Sequence, residues 1–150
     1  MRKIMVVDDD VTSQAIVKAL LCDEYEVVTA NSGLQALGRL QESADYDLIL
    51  LDMVMPGASG LDVLKTLKST SGVADIPVIF LTGIDGVQME LESYVNGAAD
   101  FIQKPVNADL LRLKIKRQLF VRDLKIQNHL LQEKLQQVKT RIDSIFDEIM

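Results

Sequence analysis

Asp47-Leu48-Ile49-Leu50-Leu51-Asp52-Met53-Val54-Met55-Pro56-Gly57 decides how the chain is read. Four apolar residues run without a break and stop at a carboxylate, and Pro56 and Gly57 mark a turn just beyond. A short apolar run with no alternation is a strand covered on both faces. A charged residue at the end of such a strand stands in the crevice where open α/β sheets place their ligands. Asp52 is therefore the first candidate for a reactive residue.

The same pattern recurs on either side. Lys3 to Val7 forms an apolar strand that ends on Asp8-Asp9-Asp10. Thr12 or Asp10 can cap a helix running to about Cys22, with Ile16, Ala19 and Leu20 expected on its inner face. Tyr25 to Thr29 reads as a second strand. Asn31-Ser32-Gly33 is a turn and cap, and Leu34, Leu37 and Leu40 mark the next helix. Beyond the central strand, Leu61, Leu64 and Leu67 begin a third helix. Ile76 to Thr82 is a fourth strand, with Pro77 near its start, where a missing donor is tolerated. A weaker helical pattern covers Val87 to Val95, and Asp100 to Gln103 is a fifth strand leading to Lys104-Pro105. Strands alternating with helices imply an α/β doubly wound fold: a five-stranded parallel sheet, right-handed crossovers and helices on both faces.

Composition narrows the class. An apolar content of 48% supports a real core, and a net charge of −6 argues against a nucleic-acid surface over the whole chain. Residues 1–106 hold 7 Lys and Arg against 16 Asp and Glu, whereas residues 107–150 hold 9 against 6. The lone Cys22 allows no internal disulfide and fits a reducing cytoplasm; small-residue helix packing is its expected role. The apolar run from Ile4 to Val7 is too short for a signal peptide or a membrane span. A cytoplasmic protein with no membrane and no direct nucleic-acid partner is expected.

Three strands end on polar groups: Asp8 and Asp9 after the first, Asp52 after the third and Thr82 after the fourth, while Lys104 follows the fifth. A doubly wound sheet gathers these ends on one edge. Carboxylates brought together repel unless a cation joins them. Oxygen donors with no His or Cys nearby favour Mg²⁺ over zinc. A carboxylate, a hard dication, a hydroxyl and an ammonium together suit phosphoryl transfer.

Residues 1 to about 120 resemble the receiver domain of two-component response regulators. The resemblance rests on Asp8-Asp9, Asp52, Met55-Pro56-Gly57, Thr82-Gly83 and Lys104-Pro105, in that order and at the family's spacing. It implies a flavodoxin-like sheet of order 2-1-3-4-5 and phosphorylation of Asp52 by a sensor histidine kinase or phosphotransfer protein. It further implies that Asp9 and Asp52 bind Mg²⁺ directly and Asp8 through water, with the Val54 backbone carbonyl completing the set. Thr82 and Lys104 would each hold a phosphoryl oxygen. Phe101 occupies the aromatic switch position, without the hydroxyl many relatives carry, and the Lys104-Pro105 bond would be cis. Val54 and Ile84, each two residues past a site residue, are apolar where the family's residues flank the path of the hydrolytic water. Slow loss of phosphate is the consequence expected.

Residues 107–150 contain no Gly or Pro and read as one helix of roughly 65 Å at about 1.5 Å per residue. Beyond the part needed to cover the sheet runs a heptad seam. Val121, Asn128, Leu135, Ile142 and Ile149 take its a positions, and Leu124, Leu131, Val138 and Ile145 its d positions. A single Asn at an a position favours a parallel, in-register homodimer, because each amide then meets its mate. Lys134 at g facing Lys139 at e of the partner opposes that register mildly. His129 falls at an exterior b position and is expected to be solvated. The expected division is a receiver over 1–121 and a coiled-coil extension or linker over 122–150. The seam is still apolar at Ile149, which reads as a cut before an output domain, more plausibly enzymatic than DNA-binding. Two other functions fit less well. One is a dimerising scaffold whose receiver no longer signals. The other is an aspartyl-nucleophile phosphatase, which the apolar Val54 disfavours.

Overall fold

The computed structural model describes residues 1–83 and 87–149, so Ile84 lies outside the described residues. Lys3–Val7 (β1), Glu26–Ala30 (β2), Leu48–Asp52 (β3), Val78–Thr82 (β4) and Asp100–Gln103 (β5) alternate with helices. The helices are Val11–Leu21 (α1), Gly33–Glu42 (α2), Gly60–Lys68 (α3), Val87–Val95 (α4) and Ala108–Ile149 (α5). Among the described residues, the strands form one parallel sheet in the order β2-β1-β3-β4-β5, the order the resemblance implied. The register sets Val7 beside Leu51, Asp52 beside Leu81 and Thr82 beside Gln103. The C-terminal ends of β1, β3, β4 and β5 therefore finish almost level, and that alignment positions the site.

β3 and β4 are buried at every residue, as their unbroken apolar runs require. Successive strand side chains point to opposite faces. Met5, Val7, Ile49, Leu51, Val78 and Phe80 turn to one face and pack with Ala36 and Leu40 of α2 and Val63, Leu64 and Leu67 of α3. Ile4, Val6, Leu48, Leu50, Ile79 and Leu81 point the other way and are equally buried, as are Val17 and Leu21 of α1 and Leu111 and Ile115 of α5. Arg112 donates to the Leu20 carbonyl at 3.3 Å and joins α5 to α1.

Several local expectations are corrected. The inner face of α1 is Gln14, Val17 and Leu21, not Ile16, Ala19 and Leu20; Ile16 is exposed. Asp10 is the N-cap, with its carboxylate accepting from the Thr12 N–H at 3.0 Å, and this sets the phase of the helix. Leu34 is exposed, because α2 packs through Gly33, Ala36 and Leu40. Cys22 is exposed at the C-cap of α1 rather than packed. β2 begins at Glu26, and β4 at Val78. Pro77 sits just outside β4, yet its carbonyl still accepts from Ile49 N–H at 3.0 Å.

The chain divides into two compact units, Met1–Gln118 and Leu119–Met150. Within the second, Leu124, Leu131, Leu135, Val138, Ile142, Ile145 and Ile149 are all exposed, and Asn128 is exposed with them. Val121 is half-buried. His129 faces solvent and meets Glu133 at 3.0 Å across one helical turn. Among the described residues, no helix is long and apolar enough to cross a membrane.

Candidate functional site

Three strand ends supply acidic or basic groups to one edge of the sheet. Asp8 follows β1 and is almost fully buried, Asp52 closes β3 and is also buried, and Asp9 is exposed. One carboxylate oxygen from each of the three lies within 4.8 Å of the others. Lys104, just past β5, reaches back with its ammonium 2.8 Å from Asp8 Oδ2 and 3.8 Å from Asp52 Oδ2. The other oxygen of Asp8 accepts from Asp10 N–H at 2.9 Å, and Asp52 Oδ1 accepts from Val54 N–H at 3.4 Å. Both carboxylates are thus aimed by their own loops.

This pocket is electrostatically loaded. Burial pushes the Asp52 carboxyl up to about 6; the Lys104 charge opposes that rise and the Asp8 charge adds to it. For Lys104, burial alone would lower the ammonium, but the hydrogen bond to Asp8 and the charges of Asp52 and Asp8 carry it net upward. One lysine therefore shares two carboxylates, with a third close by. All three candidate donors are hard oxygens, and no His or Cys belongs to the group. That donor set fits Mg²⁺, which takes oxygen ligands and keeps several waters.

The remaining sequence-derived residues surround this centre. Thr82 is fully buried at the end of β4, and its carbonyl accepts from Lys104 N–H at 2.7 Å. The ends of β4 and β5 are thereby locked together beside Asp52. Phe101 lies opposite Phe80 in the sheet and is half-buried against the core. The Lys104-Pro105 bond is cis. The Val54 side chain is exposed two residues beyond Asp52. Gly57 adopts φ of 80°, a left-handed turn that glycine enters without strain. Gly60 allows the closest approach: a Cβ there would meet the Asp52 carbonyl oxygen, and would stand 2.8 Å from Met53 Cα and 2.9 Å from Phe80 Cε1.

Two groups escape a reading of the sequence. Gln14 is buried, and its amide nitrogen, with two hydrogens to donate, lies within hydrogen-bond distance of the carbonyls of Asp8 and Ala30 and of Asn31 Oδ1. Asp100 is buried at the start of β5 and accepts from Lys114 Nζ at 3.0 Å and from Tyr94 Oη at 3.4 Å. Nothing in the local sequence pattern marks Gln14 as an inward residue of α1.

Comparison with known proteins follows the same lines. A family model described as the response regulator receiver domain matches residues 4–116. The transcriptional regulatory protein ZraR of Klebsiella oxytoca is 38% identical over 117 residues, which are 77% of this chain and 26% of that protein. A probable cyclic di-GMP phosphodiesterase of Vibrio cholerae is 37% identical over 116 residues, again 77% of this chain and 26% of the relative. The crystal structure of a response regulator receiver domain protein from Clostridium thermocellum superposes with a TM-score of 0.77 at 32% identity, covering 83% of this chain and 98% of that one. The two relatives share a receiver-like part and carry names for different activities, so the match speaks for the shared part.

Proposed function

The chain belongs to the response regulator receiver domain family, and from that premise we propose that it works as a phospho-accepting switch with Asp52 as the acceptor. One observation carries the reading. Asp8, Asp9 and Asp52 present oxygens within 4.8 Å of one another, with the Lys104 ammonium 2.8 Å from the first and 3.8 Å from the last.

In this reading Asp9 and Asp52 would hold Mg²⁺ directly and Asp8 through water, with the Val54 carbonyl as a further ligand, and the ion when bound would supply neutralisation of charge on the transferred oxygens. A carboxylate oxygen of Asp52 attacks phosphorus in a phosphohistidine of a sensor kinase or phosphotransfer protein. The new O–P bond forms as the N–P bond breaks, and the electron pair leaves on the donor imidazole. Lys104 then exchanges its contact with Asp8 for a phosphoryl oxygen, and the Thr82 hydroxyl takes another. The product adds roughly −1.5 to −2 charge and three acceptor oxygens to a pocket already short of cations. That draws Thr82 and Lys104 inward, and Phe101 follows into the space vacated.

The receiver is assigned to residues 1–121 and an extension to 122–150. The exposed stripe from Leu124 to Ile149 supports a homodimer through a parallel coiled coil, with Asn128 fixing its register. Fully burying a Val, Leu or Ile side chain is worth about 1.5–3 kcal/mol, so the seven exposed along the seam outweigh the Lys134–Lys139 repulsion. A cytoplasmic location fits this partner set. The reading is tested with beryllofluoride, a phosphoryl mimic, in the presence of Mg²⁺. At a hundredfold excess over its dissociation constant, a ligand stabilises the folded state by about 2.7 kcal/mol. The melting temperature should rise in wild type and stay fixed in Asp52→Ala. An unmoved wild type, or an equal rise in the variant, defeats the assignment.

A further inference from the structure

We infer that Gln14 is a positioning residue for the cation site: its buried amide fixes the Asp8–Asp9 peptide and so aims the Asp9 carboxylate. The inference rests on the Mg²⁺ reading above and adds to it the device that holds the one exposed carboxylate of the cluster.

Asp9 is the exposed member of the three carboxylates. Among the described residues, no hydrogen bond or ion pair holds its carboxylate, in contrast to Asp8 and Asp52. Its direction is therefore set by its main chain. The peptide plane between Asp8 and Asp9 carries the Asp8 carbonyl, and that carbonyl accepts from Gln14 Nε2 at 2.6 Å. The same nitrogen stands 2.9 Å from the Ala30 carbonyl and 2.8 Å from Asn31 Oδ1. The Ala30 carbonyl also accepts from Asp8 N–H at 3.1 Å. One amide thus pins the end of β1 to the end of β2, from the first turns of α1. Both peptide groups flanking Asp8 are tied to this knot. Gln14 is 6% exposed, so water cannot readily replace the lost donor. Groups that orient metal ligands from behind are worth 10–100-fold in affinity when removed.

The test is calorimetric titration of the full chain with MgCl₂, comparing wild type, Gln14→Met and Val17→Ala. Methionine keeps the length and loses the donors. Val17, also buried on α1, is apolar and can make none of these hydrogen bonds, so its truncation reports what destabilising the helix does by itself. Gln14→Met should bind Mg²⁺ at least tenfold more weakly, and Val17→Ala should bind like wild type. Equal affinity for wild type and Gln14→Met overturns the inference. So does an equal loss in Val17→Ala. A wild type that takes up no Mg²⁺ removes the reading beneath it as well, which separates the two failures. Should Gln14→Met not fold, the wild type still decides through its ¹⁵N spectrum. The Gln14 side-chain NH₂ signals should shift as Mg²⁺ is added. Signals that stay fixed while the Asp9 amide moves overturn the inference.

Discussion

Replacing Gly60 or Gly38 by alanine adds the same methyl group to two helices and should move stability in opposite directions. At Gly38, inside α2 and exposed, nothing lies within 4 Å of the new Cβ. The helix then gains the ordinary advantage of alanine over glycine, about 0.5–1 kcal/mol. At Gly60 the Cβ collides with the Asp52 carbonyl oxygen, approaches Met53 Cα to 2.8 Å and Phe80 Cε1 to 2.9 Å. Two of these are backbone atoms of β3 and its continuation, so no rotamer change relieves them. Either α3 lifts away or the end of β3 shifts. The first weakens the Gly60 N–H bond to the Met53 carbonyl, now 2.9 Å. The second displaces the Asp52 carboxylate. Overpacking of this kind costs about 1–3 kcal/mol and outweighs the propensity gain. Urea unfolding should give Gly38→Ala a higher midpoint and Gly60→Ala a lower one, with unchanged slopes. Gly60→Ala should also be labelled more slowly by a phosphodonor. A Gly60→Ala protein as stable as wild type would refute the packing argument, and a destabilised Gly38→Ala would refute the reading of α2.

Other consequences follow from individual contacts. Burial, and then the charge of Asp100, hold the Tyr94 phenol above its ordinary value of 10.0. Because the folded value exceeds the unfolded one, this contribution to stability is complete below pH 10.0 and fades as pH rises through the raised value. Asp100→Asn should bring Tyr94 back toward that ordinary value without reaching it, since burial is the larger cause; ultraviolet titration against Tyr94→Phe reads the shift, and an unchanged curve contradicts it. Val54→Asn places an amide beside Asp52 and should shorten the lifetime of the phosphorylated form severalfold. An unaltered decay rate would show that the apolar side chain does not protect the phosphate. Asn128→Ile should strengthen self-association but relax its stoichiometry, giving species above the dimer by analytical ultracentrifugation. A monomer in wild type and variant alike would dismiss the seam.

The fold was legible because β3 and β4 are buried on both faces and announce themselves as unbroken apolar runs. The cluster was legible for a related reason: Asp8, Asp9, Asp52 and Lys104 each stand at a strand end, where periodicity stops and a charge begins. The phase of α1 was not. Apolar Ile16 faces solvent and polar Gln14 faces inward, because the main-chain carbonyls that Gln14 serves belong to Asp8, just past β1, and to Ala30 at the end of β2, and leave no trace in local pattern. Leu34 misled similarly, since α2 approaches α3 through Gly33, where a Cβ would stand 2.5 Å from Val63 Cγ2, and leaves Leu34 exposed. The pairing of Lys104 with Asp8 at 2.8 Å, closer than with Asp52, is a property of the assembled edge and invisible in spacing.

Phosphorylation of Asp52 is read from the intact mass after exposure to acetyl phosphate. Wild type should gain one phosphoryl group with Mg²⁺ and none when the ion is chelated, and Asp52→Asn should gain none. A wild-type mass that never changes, or a gain that survives either chelation or loss of Asp52, would contradict phosphorylation at that residue.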